Sequence, residues 1–186
     1  MIITRKILIL LVFLSCCLFT VVEGYGQDYL IDKNGETTFF SEAPIEEIKA
    51  ISNKSMGILD TASQKVAVSI QMTSFDFHLS LMQEHFNENY VESEKFPKAT
   101  FSGKLGKPVD YSKQGAQEVP VSGDLTIHGV TKPIETSITF DISEKEILAK
   151  TIFEVALEDY DIEIPSIMFN KIAEVVEVTS SFKFAK

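Results

Sequence analysis

The chain has 186 residues, 17 Lys and Arg against 27 Asp and Glu, and a formal net charge of −10. That length suits one domain of ordinary size, and the acidic balance argues against partners that carry dense negative charge, nucleic acid and anionic lipid surfaces among them. Neutral or apolar ligands are untouched by this argument.

The first stretch reads as a targeting segment. Arg5 and Lys6 open it, an apolar run from Ile7 to Val22 follows, and small residues close it. This is the layout of a secretory signal peptide over residues 1–24, with cleavage near 24–26 and a domain over 27–186. The apolar run is also about long enough for a marginal membrane span, though its small-residue end suits cleavage better. Both cysteines, Cys16 and Cys17, lie within it. Cleavage thus leaves a cysteine-free domain of charge −11, after loss of two positive charges and Glu23. Lipid anchoring through Cys16 or Cys17 is the rival reading. Only Ser15 of the residues before Cys16 suits it.

Asn34-Gly35 is a turn signal between two short strand-like runs. Ile45, Ile48 and Ile51, at spacing three, predict a short helix, followed by a strand over Ser55 to Asp60. Val66, Val68 and Ile70 alternate with Ala67, Ser69 and Gln71, the period-two mark of a half-buried strand. The pattern then changes. Leu79, Met82, Phe86 and Tyr90 fall at i, i+3, i+7 and i+11, which places them on one face of a helix. Pro97 ends it.

Strands follow to the C-terminus. Lys98 to Leu105 is one. Val119, Val121, Leu125 and Ile127 share a face of the next, and Ile134, Ile138, Phe140 and Ile142 share a face of its successor. The run from Glu146 onward predicts a strand with a bulge near Ile152 and Phe153, where its apolar parity shifts. Residues around Pro165 are irregular. The last strand presents Val176, Val178, Phe182 and Phe184 on one side. Roughly eight amphipathic strands and one helix define an all-β domain, which must stack as a sandwich or close as a barrel. A closed barrel of about this size is filled by side chains or holds one small ligand. The 14 phenylalanines and absence of tryptophan give an oily interior under either arrangement.

Catalytic and metal signals are weak. His78 and His85 are seven apart without an HExxH pattern, and exposed positions on the helix account for them. Glu158 to Glu163 is a cluster of carboxylates without the glycine and spacing of a calcium loop, which reads as a solvated acidic turn. There is no G-x-S-x-G elbow and no phosphate-binding loop. No catalytic residue, metal or cofactor is therefore assigned. His128 precedes Gly129, where positive φ permits a chain reversal, and Pro133 opens the following strand. His128 and Thr131 are placed to bond backbone groups of that loop. A ligand contact at the barrel rim is the alternative for His128.

The segment "FPKATFSGKL…VPVSGDLTIHGVTKPIETSITF" resembles the YceI-like family of polyisoprenoid-binding periplasmic proteins. Phe96-Pro97 and Phe101 match one part of the motif. Gly123, Leu125, Thr126, His128, Gly129, Val130, Lys132 and Pro133 match its long hairpin. The resemblance covers Tyr29 to Lys186 and is strong from Phe96 to Phe140. The family's N-terminal histidine and Gly-x-Phe segment have no good match in residues 36–60. The resemblance implies a single antiparallel lipocalin-like β-barrel, secreted or periplasmic, with an apolar tunnel for a long isoprenoid or isoprenoid quinone and no catalysis.

Expected lining residues lie on the apolar strand faces and the helix: Phe75, Phe77, Leu81, Met82, Phe86, Phe101, Leu125, Ile127, Ile138 and Phe140. Two rivals stand beside this reading. One is a filled barrel acting as a non-catalytic envelope interaction or stress-related protein. The other is a hydrolase or isomerase using His128 or His85. Oligomeric state is open.

Overall fold

A computed structural model describes residues 29–165, Met168 and residues 171–186. The proposed signal peptide and both cysteines lie outside the described residues. Nine strands run in chain order: β1 (Tyr29–Glu42), β2 (Glu47–Asp60), β3 (Lys65–Gln71), β4 (Asp76–Phe77), β5 (Lys98–Leu105), β6 (Gly115–Ile127), β7 (Val130–Ile142), β8 (Glu146–Ala156) and β9 (Val175–Ala185). All pairings are antiparallel. Eight strands follow the order β1-β2-β3-β5-β6-β7-β8-β9, and β9 returns to β1, so the sheet closes into a barrel. The two-residue β4 adds to β2 beside Ala50 and Ile51. Closure removes the unpaired edges that an open sheet presents.

The connections divide the barrel into two ends. At one end lie the β2–β3 turn, the β5–β6 loop, the β7–β8 turn and the C-terminus. At the other lie the β1–β2 turn, the long β3–β5 connection, the β6–β7 hairpin and the long β8–β9 connection. The β3–β5 connection carries helix α1 (Ser80–His85), which continues as a wider π turn over Phe86–Tyr90.

Three expectations are corrected. Asn34-Gly35 is a bulge inside one continuous β1, with register shifts on both sides of Gly35. The Asn34 N–H bonds the Asp32 carboxylate at 2.9 Å, a turn-like contact made within a strand. The glycine is required because a Cβ there would stand 2.3 Å from the ring of Phe182. Ile48 and Ile51 belong to strand β2, paired with Ser41 and Thr38. Their helical spacing loses to a ladder that extends along β1. The bulge expected in β8 is absent: its register with β9 is unbroken from Glu146 to Ala156. Parity there never shifts. Thr151 points inward in an apolar row, and the apolar Ile152 points out, 50 % exposed.

The β7–β8 seam is paired only from Ile138 and Thr151 to the turn. Beyond it the strands part. Leu157, Tyr160 and Ile162 pack there with Ile134 of β7 and Val155 of β8. Pro133 lies inside β7, opposite Asp124, rather than at its start. It stands in the part of β7 that has no ladder to β8, where a missing N–H does least harm.

Candidate functional site

The barrel interior has a packed floor. Leu59, Leu105, Val119, Phe140, Ile142, Ile147, Phe182 and Phe184 form one buried cluster, and Val109 and Tyr111 from the β5–β6 loop close it from below. Burial, with the Asp60 carboxylate second, pushes the Tyr111 phenol up to about 12. Period-two patterning puts these side chains on the inner face.

Above the floor the interior is hollow. A cavity of about 260 Å³ runs from Leu59 and Phe184 up to Met82 and His85 of the helix and Met168 and Ile172 of the β8–β9 connection. Its cap is aromatic. The Phe39 and Phe86 rings stack at 5.4 Å, and Phe75 and Phe77 meet both of them at centroid distances from 5.0 to 5.8 Å. The helix reaches this cap because Met82, Phe86 and Tyr90 share its inward side. Leu79, assigned to the same face, is largely exposed at the helix start. Burial raises the Tyr90 phenol above its ordinary range.

Nine of the ten expected lining residues form part of the cavity wall: Phe75, Phe77, Met82, Phe86, Phe101, Leu125, Ile127, Ile138 and Phe140. Leu81 does not. It is 59 % exposed, on the outer side of the helix. Sequence reasoning missed Phe39, Ile134, Phe153 and Val178, which also line the cavity. Strand parity holds the signal for them. Phe39 follows Gly35 and Thr37 at period two, and Phe153 follows Ile147, Ala149 and Thr151. A supposed turn and a supposed bulge concealed both rows.

The His128 region answers a separate question. Ile127 pairs with Val130, and the two residues between them, His128 and Gly129, have φ of 51° and 77°. That is the two-residue hairpin whose central positions both require positive φ. His128 reaches beyond its own loop. Its Nδ1 lies 3.1 Å from the Tyr160 carbonyl and its Nε2 lies 2.8 Å from the Glu92 carboxylate. Both partners accept, so only a ring carrying two protons donates to both. The ring also stands edge-on to Phe96 at 4.5 Å. Thr131 bonds Thr126 across the hairpin rather than the loop backbone. His128 therefore ties three separate connections together at the open end, and it does not line the cavity.

Of the other histidines, His78 is exposed, whereas His85 is half-buried and borders the cavity, contrary to the exposed position expected for it. Glu158, Asp159, Asp161 and Glu163 are solvent-exposed, with Asp159 paired to Lys132 at 3.3 Å. Among the described residues no three His, Cys, Asp or Glu side chains gather where they would hold a metal ion.

With this geometry in hand, known proteins can be set beside the chain. The YceI-like domain family matches residues 29–184. The chain belongs to the YceI-like family. It is 29 % identical over 126 residues to a UPF0312 protein of Pseudomonas fluorescens, covering 62 % of this chain and 63 % of that one. It is 28 % identical over 140 residues to protein YceI of Escherichia coli O157:H7, covering 70 % of each. The chain thus spans less than two thirds of the Pseudomonas relative.

Among solved structures, the YceI-like barrel superposes on a polyisoprenoid binding domain from Saccharophagus degradans implicated in plant cell wall breakdown. The TM-score is 0.73 at 19 % identity, over 86 % of this chain and 99 % of that one. BcnA of Burkholderia cenocepacia gives 0.64 at 16 %, over 82 % and 96 %. These likenesses establish the shared fold: a closed antiparallel lipocalin-like barrel.

Proposed function

We propose that this YceI-like protein is an exported, non-catalytic carrier that holds an apolar isoprenoid-type chain inside its barrel. The observation that carries the reading is the hollow between the aromatic cap and the packed floor, walled almost wholly by apolar side chains. The polyisoprenoid-binding name of the Saccharophagus domain supports it. The signal-like N-terminus supports export to the periplasm or beyond. Phe75, Phe77, Met82, Phe86, Phe101, Leu125, Ile127, Ile138 and Phe140 are the proposed binding residues.

Burial is the mechanism. Each CH₂ withdrawn from water contributes about 0.8 kcal/mol, and the ordering of a flexible chain offsets much of the sum. Selectivity then follows from the width and depth of the hollow.

The test is native mass spectrometry of protein purified from its own cell envelope, with organic extraction of bound material. A discrete added mass extracting as an isoprenoid-type lipid is the expected result. Protein that stays bare after incubation with isoprenols and quinones overturns the reading. Val178→Trp, which sends an indole into the cavity, is expected to abolish the added mass while the barrel stays folded by circular dichroism.

A further inference from the structure

The cavity wall is mostly apolar, and at one level of it three hydroxyls meet on adjacent strands. Ser55 of β2, Thr37 of β1 and Ser180 of β9 are 0 %, 1 % and 5 % exposed. The Ser55 hydroxyl donates to Thr37 Oγ1 at 2.9 Å, and Thr37 and Ser180 share a bond of 3.1 Å. Thr151 of β8, opposite Ser180 in the ladder, extends the row, with its own proton donated to the Ser137 carbonyl. The next inward residue on β9 is Phe182, part of the floor. The hydroxyls therefore stand just above the floor, in the lower part of the hollow.

Proton counting shows an excess donor. Three hydroxyls carry three protons, and two bonds consume two of them. Ser55 has spent its own on Thr37. The surplus proton therefore rests on Thr37 or on Ser180, depending on which donates to the other. Both residues line the cavity, and Ser55 does not. Among the described residues neither hydroxyl has a further acceptor. A buried donor without an acceptor is unfavourable.

We infer that this hydroxyl row is a specificity subsite for an uncharged acceptor oxygen, of the ketone or ether class, at the inner end of the bound chain. The inference rests on the carrier reading above and adds to it which end of the ligand enters first. A single hydroxyl suits a neutral oxygen. It does not compensate a phosphate or carboxylate taken out of water.

The experiment uses two probes in competition with an apolar fluorophore: geranylgeranylacetone, and the hydrocarbon in which its C=O is replaced by CH₂. The native protein is expected to bind the ketone about tenfold more tightly, the worth of one buried hydrogen bond. The triple variant Thr37→Val, Ser55→Ala, Ser180→Ala replaces all three partners by apolar groups of similar shape. It is expected to bind both probes alike, with hydrocarbon affinity retained. If the triple variant does not fold, Thr37→Val with Ser180→Ala removes both cavity-facing hydroxyls and makes the same comparison. Equal affinity of the native protein for both probes overturns the subsite and leaves the carrier intact. So does a ketone preference that survives in the variants. Failure of the native protein to bind either probe overturns the carrier reading and the subsite with it.

Discussion

The two halves of the barrel interior are built from the same residue types and behave differently. Both are rich in phenylalanine and alternate at period two. At the floor the β5–β6 loop inserts Val109 and Tyr111 beneath the cluster, and the side chains pack closely. At the other end the β7–β8 ladder stops at Ile138, the long β3–β5 and β8–β9 connections fold over the opening, and the phenylalanines become a cap over empty space. Apolar composition does not distinguish a core from a container. What the individual connections place over each end does.

Truncating a side chain in each half tests this most directly. Ile142 is 2 % exposed in the floor cluster and does not line the cavity, so Ile142→Ala is expected to cost ~2–5 kcal/mol in denaturant unfolding. Phe86 borders space that already exists. Phe86→Ala is expected to cost under ~1.5 kcal/mol, because less packing is lost, and to show its main effect in ligand retention. Equal losses would erase the distinction between the halves.

The floor also depends on a glycine seat. A Cβ on Gly57 would stand 2.5 Å from the Phe182 ring. Gly57→Ala is expected to destabilise by ~1–3 kcal/mol through displacement of that ring, visible as a lower unfolding midpoint at unchanged slope.

The open half has its own fastening. His128→Ala removes the bonds to Tyr160 and Glu92, for an expected loss of ~1–2 kcal/mol. Hydrogen exchange should quicken over Leu157–Asp161 while β6 and β9 near the floor stay protected. Uniform loosening of the whole barrel would mean that the histidine acts on more than the open end.

The smallest effect lies at the floor again. The Tyr111 phenol has an ordinary value of 10.0 and is held up to about 12 in the fold. Between these values the unfolded chain binds fewer protons than the native one, so stability falls as pH rises from 10 toward 12. Below 10 the group contributes nothing to the slope. Tyr111→Phe should reduce that alkaline slope, by about 1 kcal/mol or less at pH 11, since solvent reaches a half-buried ring and screens the effect. Absorbance titration should also lose its last-ionising phenol.

How much of this was legible depends on which interactions are local. The strands β3, β5, β6, β7 and β9 could be read from alternation alone, because each keeps one face inward along its length. The pattern also placed most of the expected lining residues correctly, since Leu125, Ile127, Ile138 and Phe140 sit on those faces. Leu81 was misplaced because a one-residue step on a helix turns a side chain by a large angle. The π turn after His85 further separates the real face from the ideal one. Asn34-Gly35 carries hairpin chemistry, yet Phe182, almost 150 residues away in the chain, uses that glycine as a seat.

The sequence by itself determined the all-β character, the family, the inward rows and the hairpin at His128-Gly129. Those follow from side-chain period, turn stereochemistry and a contiguous motif. Only the tertiary structure decided that the rows enclose a hollow, that the hollow reaches down to the floor cluster, and that Thr37, Ser55 and Ser180 meet above it. Strand period fixes the face on which a residue lies. The distance across a closed barrel, and which hydroxyls find one another, are fixed by register and closure, which bring together residues far apart in the chain.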